Sequence, residues 1–152
     1  MLELASPSDL VAYCGKILGT SDWKVVEQEA IDLYSRATGD NQWIHVDVER
    51  ARREMPGGKT IAPGLLVLAW APAMAGQIYR IRKRSRSLNY GANRVRFIAP
   101  VPVGSRVRVQ VKLNAAERLK DGGHRFAFEY TIELEGSDKP AAVAELLAQM
   151  YD

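Results

Sequence analysis

The chain has 152 residues, enough for one domain with a real core, and its 47% apolar and 26% charged composition is that of an ordinary globular protein. No apolar run approaches the roughly 20 residues of a membrane-spanning helix, and Met1-Leu2-Glu3-Leu4 lacks the basic and apolar regions of a signal peptide. The net charge of +3 is modest, and the lone Cys14 rules out an internal disulfide and fits a reducing compartment. A single domain over residues 1–152, in the cytoplasm and with no membrane contact, is expected.

In chain order, Ser6-Pro7-Ser8-Asp9 is a helix entry signal, and the helix it opens should stop between Gly15 and Gly19. Cys14 lies on it and reads as a small buried hydrophobe, since no base partner stands nearby. Trp23 to Val26 reads as a short strand. Glu29 to Ala37 reads as a helix with Ala30, Leu33, Tyr34 and Ala37 on its apolar face. Gly39-Asp40-Asn41 then breaks regular structure, so Asp40 and His45 should flank a short irregular loop, with Trp43 and Ile44 packing to anchor it. Asp47 is expected to cap a short charged helix from Val48 to Met55. Pro56-Gly57-Gly58-Lys59 is a loop without the spacing of a phosphate-binding motif.

Leu65 to Tyr79 reads as a helix that is apolar on almost every side, so it should be buried at the centre, with a kink near Pro72. The basic run Arg80 to Arg86 reads first as a solvated loop after that helix. Nucleic acid is not expected there, because no aromatic residues interleave with the charges. Four strands follow, at Ser87–Phe97, Ser105–Leu113, Arg125–Leu134 and Ala141–Tyr151; the second and third alternate cleanly between apolar and polar residues. Asp121-Gly122-Gly123 and Gly136 to Pro140 are turns between them, and His124 beside the first is expected at the surface. One apolar helix and several antiparallel strands give an α+β domain, most economically a curved sheet wrapped around the helix.

The chemistry concentrates in Thr38-Gly39-Asp40-Asn41-Gln42-Trp43-Ile44-His45. A carboxylate and an imidazole five residues apart form a minimal kit for moving protons near neutral pH. Thr60-Ile61-Ala62-Pro63-Gly64-Leu65-Leu66 then looks like a turn feeding a helix N-terminus, whose free N–H groups can polarise a carbonyl oxygen. An acid/base pair with an oxyanion site suits the addition or removal of water beside a carbonyl. Two histidines and one distant cysteine match no metal-ligand spacing, so no metal is expected.

The segment from Ala37 to Leu66, A-T-G-D-N-Q-W-I-H-V-D-…-I-A-P-G-L-L, resembles the hydratase motif of MaoC-like proteins, the (R)-specific enoyl-CoA hydratases with a hot-dog fold. Asn89-Tyr90-Gly91, Val95-Arg96-Phe97 and Pro100 to Gly104 are similar to the nodulation-protein-N-like branch of that family, and the resemblance runs roughly from Gly19 to Tyr151. It implies a hot dog of antiparallel strands around the Leu65–Tyr79 helix, a homodimer or higher oligomer, an acyl-CoA thioester of fatty acid metabolism as substrate, and no cofactor. It also implies that Asp40 is the general base, that His45 orients the water and shares proton transfer, and that the Gly64 N–H holds the thioester oxygen. Asn41 would fix the loop. Asn89 and Tyr90 would contact the thioester end or simply begin a strand. Arg82 and Arg84, in the basic run, are the candidates for the phosphates of CoA.

Two positions depart from the pattern: Pro63 stands where the family more often has histidine, and Pro72 where well-studied members have serine. They keep open the reading of a non-catalytic acyl-binding or assembly subunit, and a hot-dog thioesterase is a further alternative. Thioesterases commonly place an acidic residue on or beside the central helix, and Leu65 to Tyr79 contains none.

Overall fold

The computed structural model describes all 152 residues. Its core element is an antiparallel sheet. Strands β2 (Ile17–Thr20), β6 (Arg106–Arg118), β7 (His124–Leu134), β8 (Ala142–Tyr151) and β5 (Arg86–Phe97) lie side by side in that order. The two-residue β3 (Lys24–Val25) pairs with the start of β6. Alternation sets the faces. Val107, Val109, Val111 and Leu113 of β6 and Phe126, Phe128, Tyr130 and Ile132 of β7 all point inward and are buried, while their sequence neighbours face outward.

Against the inner face lies α4 (Gly64–Ala75), so the sheet wraps a helix in the hot-dog manner. Before it come α1 (Gln28–Thr38), the one-turn α2 (Trp43–Val46) and α3 (Val48–Glu54), which form the layer that carries the Asp40 segment. Asp47 caps α3, its carboxylate accepting from the Arg50 N–H at 2.9 Å.

Several expectations are corrected. The central helix does not run to Tyr79. It ends at Ala75, and Tyr79–Ile81 forms β4, paired in parallel with β1 (Leu2–Leu4). The extended pairing supplies partners for backbone groups that a further helical turn would have bonded internally. Nor is α4 buried all round: Leu66, Val67, Ala71, Met74 and Ala75 face the sheet, but Leu65, Ala69, Pro72 and Ala73 form an exposed stripe. On α1 the fully buried side chain is Ile31, while Leu33 is 53% exposed, so the apolar spacing misassigned the face. The first helix is a 3₁₀ helix, Pro7–Tyr13, and it leaves Cys14 exposed beyond its end. His124 is buried, because β7 starts there and turns its ring inward onto Phe126, with ring centroids 5.8 Å apart. His45 lies in α2, a turn of regular helix, in place of the irregular loop expected. No helix is long and apolar enough to cross a membrane.

Candidate active site

The site begins at the end of α1. Gly39 takes a left-handed conformation (φ 80°), which a residue with a Cβ adopts only at a cost, and its N–H closes the helix on the Ser35 carbonyl at 2.8 Å. The chain then turns through Asp40, whose N–H is 3.3 Å from the Thr38 hydroxyl. Three residues later α2 begins, and its single turn carries His45 inward to 8% exposure.

His45 is held by its Nδ1, 2.7 Å from the Ile61 carbonyl oxygen. A carbonyl can only accept, so Nδ1 carries the proton and Nε2 of the neutral ring is left with its lone pair. A backbone bond from the Ile61 N–H to the Ile44 carbonyl, 3.1 Å, fastens the same two segments. Beyond Ile61 the chain runs through the buried Ala62 and Pro63 to Gly64, the first residue of α4. The helix itself supplies no acceptor for the N–H of its first residue, and its dipole adds positive potential there.

These groups meet in one cleft of about 340 Å³, whose lining includes Asp40, His45, Gly64, Phe97, Val101 and Ala142. The walls are mostly apolar, and no lysine or arginine lines them. An apolar wall suits an acyl chain, and low polarity strengthens any interaction with charge that develops at the Gly64 N–H. Phe97 reaches the cleft from β5, and its ring stands so close to Gly64 that a Cβ there would lie 2.8 Å from Cδ1.

The other candidates lie elsewhere. Asn41 is exposed and outside the cleft lining. Tyr90 is exposed and stacks beneath the Arg125 guanidinium at 4.1 Å. Arg82 is ion-paired with Glu3, and that pair pulls the Glu3 carboxyl below its ordinary range. Arg84 and Asn89 line a second cavity, of about 220 Å³, with Tyr79 and Tyr130 near the far end of α4. Burial pushes the Tyr79 phenol up to about 12 and raises Tyr130 as well.

Three residues take a part in the site that only the fold reveals: Gln28, Thr60 and Phe97. The Gln28 amide donates to the His45 carbonyl at 2.8 Å and accepts from the Thr60 hydroxyl at 2.5 Å. No local pattern marks a glutamine 17 residues before its partner, and only the fold joins them.

The model of the MaoC like domain matches residues 10–132. The chain belongs to this family. Among MaoC-like relatives, it is 46% identical over 149 residues to 3-hydroxyacyl-thioester dehydratase Z of Mycobacterium tuberculosis, covering 98% of both chains. It is 41% identical over 140 residues to nodulation protein N of Rhizobium leguminosarum bv. viciae, covering 91% of this chain and 87% of that one. In structure it is similar to a monoamine oxidase regulatory protein from Archaeoglobus fulgius, with a TM-score of 0.79 at 19% identity over 99% of this chain and 97% of that one. That last likeness concerns the MaoC-like fold alone.

Proposed function

We propose that this MaoC-like chain is an (R)-specific enoyl-CoA hydratase working reversibly as a 3-hydroxyacyl-thioester dehydratase. The observation that carries the reading is the meeting of Asp40, His45 and the N-terminus of α4 in one apolar cleft. The 46% identity to a 3-hydroxyacyl-thioester dehydratase along 98% of the chain supports it.

In the hydration direction, water sits between the Asp40 carboxylate and His45 Nε2. Asp40 takes one proton from it, and the remaining hydroxide forms the bond to C3 of the trans-2-enoyl thioester. The C2–C3 π electrons move toward the thioester carbonyl, and the Gly64 N–H meets the developing enolate oxygen; such a donor contributes about 3–4 kcal/mol to the transition state. The Asp40/His45 pair returns a proton to C2, so the net change is the addition of one water. Pro63 has no N–H and takes no part in the oxyanion contact.

The same reading makes the protein a homodimer. β5 pairs only with β8, and its other edge is free over twelve residues, with Leu88, Tyr90 and Phe97 each about half exposed. Beside it lies the exposed stripe of α4 that begins at Leu65, 60% exposed. An apolar open edge next to an apolar helix stripe suits a second copy of the chain. A free, exposed thiol at Cys14 fits a cytoplasmic setting.

The test is hydration of crotonyl-CoA, followed by loss of enoyl absorbance, with Asp40→Asn and His45→Gln beside the wild type. Turnover that collapses in both variants while they remain folded dimers is the expected result. Absence of hydration with short and long enoyl-CoAs would return the chain to the acyl-binding reading, and release of free CoA thiol would make it a thioesterase.

A further inference from the structure

We propose that Gln28, oriented by Asp32, is a positioning residue for this reaction: it sets the spacing between the His45 imidazole and the Gly64 N–H. The inference rests on the hydratase reading above.

Gln28 opens α1 and lies outside the cleft lining, so it acts through other groups. Its amide nitrogen donates twice, to Asp32 Oδ1 at 2.9 Å and to the His45 carbonyl at 2.8 Å. Its oxygen accepts from the hydroxyl of Thr60, which is 1% exposed. A carboxylate only accepts, so the Asp32 contact fixes which end of the amide is nitrogen, and Thr60 must then be the donor. The side chain therefore has its NH₂ and its oxygen committed in one geometry.

The bonds end at telling places. One lands on the main chain of His45 itself, and another on the residue that starts the Thr60–Gly64 turn. The two direct bonds between these segments tie them only to each other. Gln28 ties both to α1, so neither can slide without breaking a partly buried hydrogen bond. Proton transfer and oxyanion contact must engage the same thioester at once, which makes their mutual distance a catalytic quantity. Glutamate would be a poor replacement, because its carboxylate would face the His45 carbonyl and the Asp32 carboxylate with no proton to donate.

The test compares Gln28→Met, which keeps the bulk and loses the donors, with Thr60→Val and the conservative Thr60→Ser, all in the full chain hydrating crotonyl-CoA. Expected are kcat losses of about 10- to 100-fold for Gln28→Met and Thr60→Val with KM changed by less than about twofold, and near-complete recovery in Thr60→Ser. Combined with His45→Gln, Gln28→Met should add almost nothing, because both changes act through one group. Wild-type kcat in Gln28→Met and Thr60→Val, or losses that multiply in the double variant, overturn the proposal. If Gln28→Met does not fold, Thr60→Val carries the test. If the wild-type protein hydrates no enoyl thioester, the hydratase reading fails by itself. The His45 Nδ1–H resonance then decides the positioning: a shifted or broadened signal in Gln28→Met or Thr60→Val supports it, and an unchanged one overturns it.

Discussion

Phe97 Cδ1 would stand 2.8 Å from a Cβ on Gly64, so the ring of the edge strand rests directly on the backbone that begins the central helix. Gly64 does not have a left-handed φ, so alanine is acceptable there in conformation, and the cost of Gly64→Ala is steric. The half-exposed Phe97 ring can move, but only by shifting in the cleft it lines. We expect Gly64→Ala to lower kcat/KM by about tenfold or more with a small change in melting temperature. Adding Phe97→Ala should recover part of the loss, as steady-state kinetics on both variants will show.

The 2.7 Å contact between His45 Nδ1 and the Ile61 carbonyl predicts a single tautomer. Nitrogen-15 NMR of the neutral ring should report a protonated Nδ1 and an unprotonated Nε2. His45→Phe leaves the Ile61 carbonyl unpaired, and denaturant unfolding should show a loss of about 1–3 kcal/mol. An unfolding midpoint equal to the wild type would mean that the carbonyl finds another donor.

Tyr79 predicts an alkaline limit to stability. Its phenol is raised by burial from an ordinary value of 10.0 to about 12. Below pH 10 the phenol is protonated in both folded and unfolded chains. Between about 10 and 12 the unfolded chain gives up the proton that the folded chain keeps, so stability falls as pH rises through that window. Tyr130, raised further, extends the loss to higher pH. Phenolate absorbance should show late-titrating tyrosines, and Tyr79→Phe should move the alkaline unfolding midpoint upward.

On the outer face of the sheet, Glu129 and Glu145 are direct cross-strand neighbours. The Asn114 amide lies between them, 2.8 Å from one Glu145 oxygen and 3.4 Å from Glu129, and Asn93 donates to the other Glu145 oxygen at 2.7 Å. These bonds, Asn114 first, lower the Glu145 pKa from its ordinary value. Their stabilisation is therefore present above that value and is lost as pH falls through the depressed one. Asn114→Asp places a third carboxylate there. It should cost about 1 kcal/mol at neutral pH, limited by solvent screening, and melting curves should show the gap closing in acid.

Much of the architecture was written in local pattern. The alternation in Val107 to Leu113 and Phe126 to Leu134 belongs to strands buried on one face, and both segments are such strands. Asp47 announced a cap, and the proline and glycine at 63 and 64 announced where a helix begins. The Asp40 and His45 spacing, set after a helix-ending glycine, marked the segment whose side chains share a cleft with Gly64.

What the sequence could not determine was every feature that depends on a distant partner. Tyr79 reads as the end of a helix, and Arg80 and Ile81 as the start of a loop, until Leu2 to Leu4 offer them a parallel neighbour. Which face of α1 is covered, whether Cys14 reaches solvent and whether His124 turns inward depend on what packs across from them. So does Gln28, ordinary at the start of a helix until the fold brings the His45 carbonyl and the Thr60 hydroxyl within bonding distance. Periodicity and turn chemistry act over a few residues and survive in the linear order, whereas burial and hydrogen-bond partners are set by contacts tens of residues apart, which only the closed tertiary structure creates.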